Sequence, residues 1–276
     1  MLNDTNKRAT GTDFLVFINF SKTSYNALNY AISLVKATRG SIELQYIINP
    51  SEIKDSENNF VVVRSINELK QKAKIKLNSI VEMLELENIE VISSYSIGNL
   101  KSEFIRILAD NNSKTVVIGK KKSGVSSKVL NTLIHQFHGN VLIVNDDAEY
   151  QGTHKIAVGL DGLIKHQGGL IFISNLCKAT NMPIVLLDTQ NNKQVSNEGQ
   201  LIPVLEKGLE IYLHKIEDRN PLEGLLKYSK KNDVEMLCIA RTEYKYSLIR
   251  RMQNRTLVMS KMVRNIEKPL LIMGNN

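Results

Sequence analysis

A run of nine residues, Gly119-Lys120-Lys121-Lys122-Ser123-Gly124-Val125-Ser126-Ser127, joins an apolar stretch (Thr115 to Ile118) to a helical pattern that ends near Phe137. Its residue types can hold an anion. Glycine lets a backbone approach a phosphate closely, the free N–H groups at a helix start point towards it, and lysine supplies charge. The run carries two glycines, three lysines and the Ser126-Ser127 hydroxyls where the helix begins. Composition leaves two readings open for it, a phosphate cradle and a plain strand-to-helix turn.

No other stretch suggests a reaction. The chain has no Walker A loop, no HExxH and no GxSxG. His135, His138, His154, His166 and His214 fall in different elements, apart from His135 and His138 on one expected helix. Two imidazoles on a helix do not make a metal site without a third ligand. Cys177 and Cys238 lie in apolar segments, ISNLCKA and VEMLCIA, outside any CxxC pair, and read as small buried hydrophobes. The expectation is a protein without enzymatic activity, metal or obligatory cofactor.

The elements that position the loop follow from periodicity. Phe14 to Ile18 is an apolar, β-rich run suited to a strand buried on both faces. Tyr25, Leu28, Ala31, Ile32 and Val35 recur at helical spacing, with Gly40 expected to close that helix. Ile42 to Ile48 reads as a second strand and Ile66 to Leu86 as a long helix with Leu69, Ala73, Leu77, Ile80 and Leu84 on one face. A third strand begins at Ile89, a helix covers Leu100 to Ala109, Thr115 to Ile118 is the fourth strand, and Val141 to Val144 the fifth. Such alternation implies right-handed crossovers and a parallel sheet covered on both sides.

After the polar stretch NDDAEYQGTH the order repeats. Strands are expected at Lys155 to Asp161, Pro183 to Asp188, Leu209 to Leu213, Met236 to Ala240 and Pro269 to Met273, with helices at Leu170 to Thr180 and Leu222 to Lys230. The boundaries that follow are a polar segment over 1–12, a first domain over 13–145, a linker over 146–154 and a shorter second domain over 155–276.

With 276 residues, 42% hydrophobic and 23% charged, the chain can build two cores without disulfides or metals. The formal net charge of +8 favours polyanions in general. No basic block exceeds Lys120-Lys121-Lys122, so a solvated basic surface is the expectation and nucleic acid is not an expected partner. The first residues lack an apolar signal core, and no apolar run has membrane-spanning length. A cytoplasmic protein without a membrane partner is expected.

The opening FLVFINFSKTSYNALNYAISLV and the stretch TVVIGKKKSGVSSKVLNTLIHQFHGNVLIV resemble the universal stress protein family: its first strand and helix, and its fourth strand, glycine-rich loop, helix and closing strand. The element order extends the resemblance over nearly the whole chain twice. It implies two tandem α/β domains of flavodoxin-like or Rossmann-like style, each a five-stranded parallel sheet flanked by helices. It also implies a role in stress resistance through binding or interaction rather than turnover.

Some members bind ATP through a loop similar to G-x2-G-x9-G-S/T and an aspartate ending the first strand. Here Lys122 stands at the second glycine position, four or five loop residues are missing, and Ser126-Ser127 lie where the last Gly-Ser pair would be. Asn19 replaces the aspartate in the first half. The second half keeps Asp161, which can equally end a strand in a turn, but Ala240 to Ser247 contains no glycine. Asn19, Gly119, Lys122, Gly124, Ser126, Ser127 and Asp161 are thus the candidate phosphate or nucleotide contacts. ATP is the possible ligand, and a nucleotide-dependent switch or weak ATPase the alternative to a binding scaffold. Family dimers join through their last strands. The resemblance therefore implies that Val141, Leu142, Ile143 and Val144 pair internally with Leu270, Leu271, Ile272 and Met273. A further homodimer and unidentified protein partners remain open.

Overall fold

Runs with no polar face, such as Phe14-Leu15-Val16-Phe17, can be buried only between two layers, and the chain folds as a sheet with helices on both sides. The computed structural model describes residues 13–50, 59–111, 114–121, 124–160, 167–189, 208–218, 220–241 and 255–274. The strands are β1 (Phe14–Phe17), β2 (Ser41–Ile48), β3 (Glu90–Ile97), β4 (Thr115–Lys120), β5 (Val141–Asn145), β6 (Lys155–Gly159), β7 (Ile184–Asp188), β8 (Ile211–Lys215), β9 (Val234–Ala240) and β10 (Leu270–Met273). The helices are α1 (Lys22–Thr38), α2 (Asn59–Leu86), α3 (Leu100–Asp110), α4 (Ser127–His135), α5 (Gln167–Thr180), α6 (Pro221–Lys231) and α7 (Arg255–Asn265).

The strands form one sheet in the order β3-β2-β1-β4-β5-β10-β9-β6-β7-β8. Every neighbouring pair is parallel except β5 with β10, which is antiparallel. There Leu271 faces Leu142, with Leu270 opposite Ile143 and Ile272 opposite Val141. Leu142 also pairs with Val117, and Leu271 with Cys238. Both halves therefore read outwards identically from the Leu142–Leu271 pair, a local pseudo-two-fold point. Counting along β4 and β9 from it makes Gly119 equivalent to Ala240 and Lys120 equivalent to Arg241.

The hydrophobic core divides by sheet face rather than by half. On one face Phe14, Val16 and Leu142 pack with α1, α2 and α5 and with Ile156, Val158 and Leu271. On the other, Leu15, Val116 and Ile143 pack with α3, α4, α6 and α7 and with Ala157, Leu237 and Ile272. Alternate side chains of each central strand enter alternate faces, as a period of two requires. Each layer runs through both halves, so removing either half would expose apolar surface on both sides of β5 or β10.

Several boundaries differ from the sequence reading. The helix over α1 closes on Arg39, which takes the left-handed conformation at φ 55°, rather than on Gly40. Its N–H donates to the Val35 carbonyl, and no side-chain preference announces this. The α2 helix begins at Asn59, a turn or more earlier than expected, and Leu69 is only half-buried while Ala73, Leu77, Ile80 and Leu84 are buried. The α4 helix stops at His135, so His138 lies beyond it and the two do not share a helical face. Among the described residues no cluster of three metal-ligating side chains occurs. The α7 helix was not anticipated: its buried Met259, Met262 and Val263 sit in a sequence crowded with basic residues.

The turn into β6 is held by a carboxylate. A register shift between Lys155 and Ile156 leaves Glu235 of β9 as the extra residue, and such a bulge re-aims a side chain. Glu235, 3% exposed, accepts hydrogen bonds from the Tyr30 hydroxyl and from the Gln151 and Gly152 N–H groups. It thereby ties the connecting segment and α1 to the second half's sheet.

Candidate functional site

In each half the strand order reverses direction between the first and fourth strands, β1 with β4 and β6 with β9. The crevice outside the carboxyl ends of strands at such a point is where open α/β sheets bind ligands. At β1 and β4 it is a cavity of about 580 Å³, within the range of small-molecule sites.

Local structure explains its floor. After β1 the chain turns at Phe20, whose φ of 58° is left-handed. The Asn19 Oδ1 accepts from the Ser21 N–H at 3.2 Å and from the Ser21 hydroxyl at 2.6 Å. Ser21 in turn caps α1 by accepting from the Ser24 N–H. The Asn19 oxygen is thus occupied within the turn, while its amide NH2 has no hydrogen-bond partner among the described residues. The Phe20 ring packs on Tyr46 at 4.8 Å between centroids, with the Lys76 ammonium 4.9 Å from its own centroid.

The loop side departs from expectation in two respects. Gly119 and Lys120 belong to β4 rather than to the loop. A Cβ on Gly119 would lie 2.3 Å from the Thr23 carbonyl oxygen, so glycine here admits the first turn of α1 against the strand. Lys120 is buried and does not line this cavity: its Nζ donates to the carbonyls of Val263 at 2.6 Å and Ile266 at 2.5 Å, with Arg264 at 3.4 Å. These are the orphan carbonyls at the end of α7. Burial pulls the ammonium below its usual pKa, against the raising influence of Asp147, Glu267 and Asp146. One of the three loop lysines is therefore committed to structure.

Gly124 does have a loop conformation. Its φ of 96° suits glycine, and its N–H closes the turn on the Lys121 carbonyl at 2.8 Å. Ser126 caps α4, accepting from the Val129 N–H at 3.4 Å, and its hydroxyl donates to no acceptor among the described residues. Ser127 opens α4. Lys122 and Asp161 lie outside the described residues, as does the second half's stretch from Thr242 to Ser247.

Asn19, Gly119, Gly124 and Ser126, named from sequence, line this one cavity. The sequence reading missed Gln45 and Tyr46 at the end of β2, Lys121 as the lysine that faces the space, and Arg264 from α7. Gln45 had only a weak signal, a polar residue in a strand that also carries Ser41 and Glu43. Arg264 had no local signal. The apolar side is Phe17, Ile47, Phe104 and Ile118, and the charged side is Lys121 with Arg264. No carboxylate, imidazole or thiol lines it among the described residues. A second, larger cavity of about 810 Å³ beside the connecting segment mixes acids such as Asp147 and Glu267 with bases such as Lys121 and Lys268, and selects no sign of ligand.

A family model described as the universal stress protein family matches residues 12–145. The first half of the chain belongs to that family. The universal stress half thus spans β1 to β5 and supplies all of the described cavity lining except Arg264. A search of curated protein sequences finds no match. Solved structures extend the fold likeness to the rest of the chain. A universal stress protein from Archaeoglobus fulgidus DSM 4304 is similar with a TM-score of 0.73 and 16% identity, over 96% of this chain and 98% of that one. A protein of unknown function from Pseudomonas aeruginosa PAO1 is similar at 0.57 and 14%, over 95% and 92%. The cytoplasmic domain of a prokaryotic cation chloride cotransporter reaches 0.52 and 11%, over 96% of each. Among the described residues no helix is long and apolar enough to cross a membrane.

Proposed function

We propose that this is a tandem universal stress-type protein of the cytoplasm whose first half binds a phosphate-bearing small molecule, of the nucleotide class, without turning it over. The two domains of the reading are residues 13–145 and 155–276, joined by 146–154. The observation that carries it is the cavity of about 580 Å³ at the β1–β4 switch point, where Asn19, Gly119, Gly124 and Ser126 converge. One side is apolar enough for a flat organic body and the other carries cations and a helix start for an anion. The absence of a carboxylate, imidazole or thiol from the described lining supports binding over catalysis, since no such group there can activate a water.

The second half plays a structural part in this reading. Its region equivalent to the loop, Ala240 to Ser247, has no glycine, and Arg241 there reaches back into the first half. The pairing of β5 with β10 takes the place of a partner subunit, with the chain supplying both sides of a dimer-like sheet. An internally satisfied edge leaves no unpaired strand at the centre.

Calorimetric titration of the full chain with ATP and magnesium, beside Gly124→Val, tests the proposal. Saturable binding in the micromolar range that the variant loses is the expected result, because valine cannot easily adopt a φ of 96°. Absence of heat at millimolar ATP and of any protection from thermal unfolding by other nucleotides would overturn the ligand reading.

A further inference from the structure

We infer that Arg264, delivered from the second half, is the anion-recognition residue of the first-half cavity, so that a ligand's charged group is bound between the halves. This rests on the ligand reading of that cavity. Arg264 is the residue of the described lining that comes from beyond the connecting segment. It stands in the last turn of α7, exposed, and its guanidinium has neither an ion pair nor a hydrogen bond among the described residues.

Its position is built rather than incidental. A Cβ on Gly124 would lie 3.8 Å from the Arg264 Cα and 3.9 Å from its Cβ, so the loop glycine packs against the arginine's backbone. The same turn of α7 is gripped by Lys120 through the Val263, Arg264 and Ile266 carbonyls. Lys120 follows Gly119 directly in β4. One strand end thus fixes both the cavity wall, through Gly119, and the helix turn that presents Arg264. A guanidinium offers a planar fork to a phosphate or carboxylate, which an ammonium such as that of Lys121 does not. With Lys121 and Arg264 the only charged side chains in the described lining, the cavity takes an anion with an apolar body.

The arrangement implies coupling. A ligand that touches the loop and Arg264 together contacts α4 and α7, and so favours the closed sheet over a separated pair of halves.

The test uses the full chain and three probes: ATP, adenosine as the uncharged body, and inorganic pyrophosphate as the anion alone. The variants are Arg264→Gln, Arg264→Lys and Lys121→Gln, each checked for an unchanged urea midpoint. The expected result is a tenfold or greater loss of ATP and pyrophosphate affinity in Arg264→Gln, partial recovery in Arg264→Lys, and unchanged adenosine affinity. Equal ATP affinity in wild type and Arg264→Gln would overturn the inference and leave the nucleotide reading standing. Equal losses for ATP and adenosine would also overturn it, since Arg264 would then act through structure. Pyrophosphate binding that needs Arg264 without any ATP binding would support the inference and overturn the nucleotide reading. Failure of all three probes to bind wild type would overturn both.

Discussion

Replacing Arg241 by methionine tests whether the halves are clamped by exchanged helix caps. Arg241 follows β9, and its guanidinium donates to the carbonyls of Leu133 at 2.5 Å, Gly139 at 2.6 Å and Phe137. Those carbonyls belong to the end of α4 and the turn after it, in the other half. Its pseudo-two-fold equivalent, Lys120, does the same for α7. A cation at a helix C-terminus satisfies orphan carbonyls and opposes the negative end of the dipole.

The magnitude follows from two opposing effects. Arg241 is 9% exposed, and burial pushes its guanidinium down to about 10, still charged at neutral pH. At about 1.4 kcal/mol per pH unit, withdrawing the cation from water costs roughly 3 kcal/mol. Hydrogen bonds to a charged group contribute about 1.5–3 kcal/mol each, and three of them outweigh that cost. Arg241→Met, which keeps the aliphatic volume, is therefore expected to lose about 2–5 kcal/mol. Urea denaturation followed by far-ultraviolet circular dichroism reads this as a lowered midpoint with an unchanged slope. The transition should remain single, because both core layers run through both halves. A loss below about 1 kcal/mol would refute the cap argument, and two resolved transitions would refute the shared core.

Three further outcomes follow. Gly119→Ala places a methyl against the Thr23 carbonyl oxygen at 2.3 Å, backbone that cannot swing aside, and is expected to cost about 1–3 kcal/mol; an unchanged urea midpoint would contradict it. A chain ending near residue 150 would bare β5 and both faces around Leu142, and is expected to dimerise through that strand. Light scattering after size exclusion checks this, with a stable monomer as the contrary result. Tyr150 is held up at about 12, by burial first and then by Glu235 and Cys177. Its neutral form is favoured in the fold, so the stability it contributes is complete below the free tyrosine value of about 10 and lost as pH rises through about 12. Among the described residues the Tyr150 hydroxyl has no hydrogen-bond partner, which makes phenylalanine a mild replacement at neutral pH. Urea midpoints at pH 9 and 11.5 should fall less in Tyr150→Phe than in wild type, and equal falls would contradict this.

How much was legible depended on the range of the determinant. The apolar runs over β1, β4, β5, β9 and β10 announced strands buried on both faces, because a run with no polar side has no other stable location. Ser126 before α4 was visible because capping acts within one turn, whereas Pro221, which starts α6, was passed over. The candidate cavity was half legible. Asn19, Gly119, Gly124 and Ser126 sit beside elements whose order the sequence displays, and that order puts the ends of β1 and β4 side by side.

The order of strands and helices apart from α7, the repeat, and the glycines and hydroxyls of the loop are legible in the chain, since each is written in spacings of a few residues. Tertiary structure alone decided the uses of Lys120, Arg241, Arg264 and Glu235. Lys120 reaches across 143 and 146 residues to its carbonyls, and Arg241 across 102 to 108. No periodicity of 2 or 3.6 records such a partner. These side chains acquire their roles only when β5 meets β10 at Leu142 and Leu271, because that pairing brings each half's strand end beneath the other half's helix. A lysine that reads as loop charge thereby becomes a buried cap, and an arginine in an unanticipated helix comes to face the cavity.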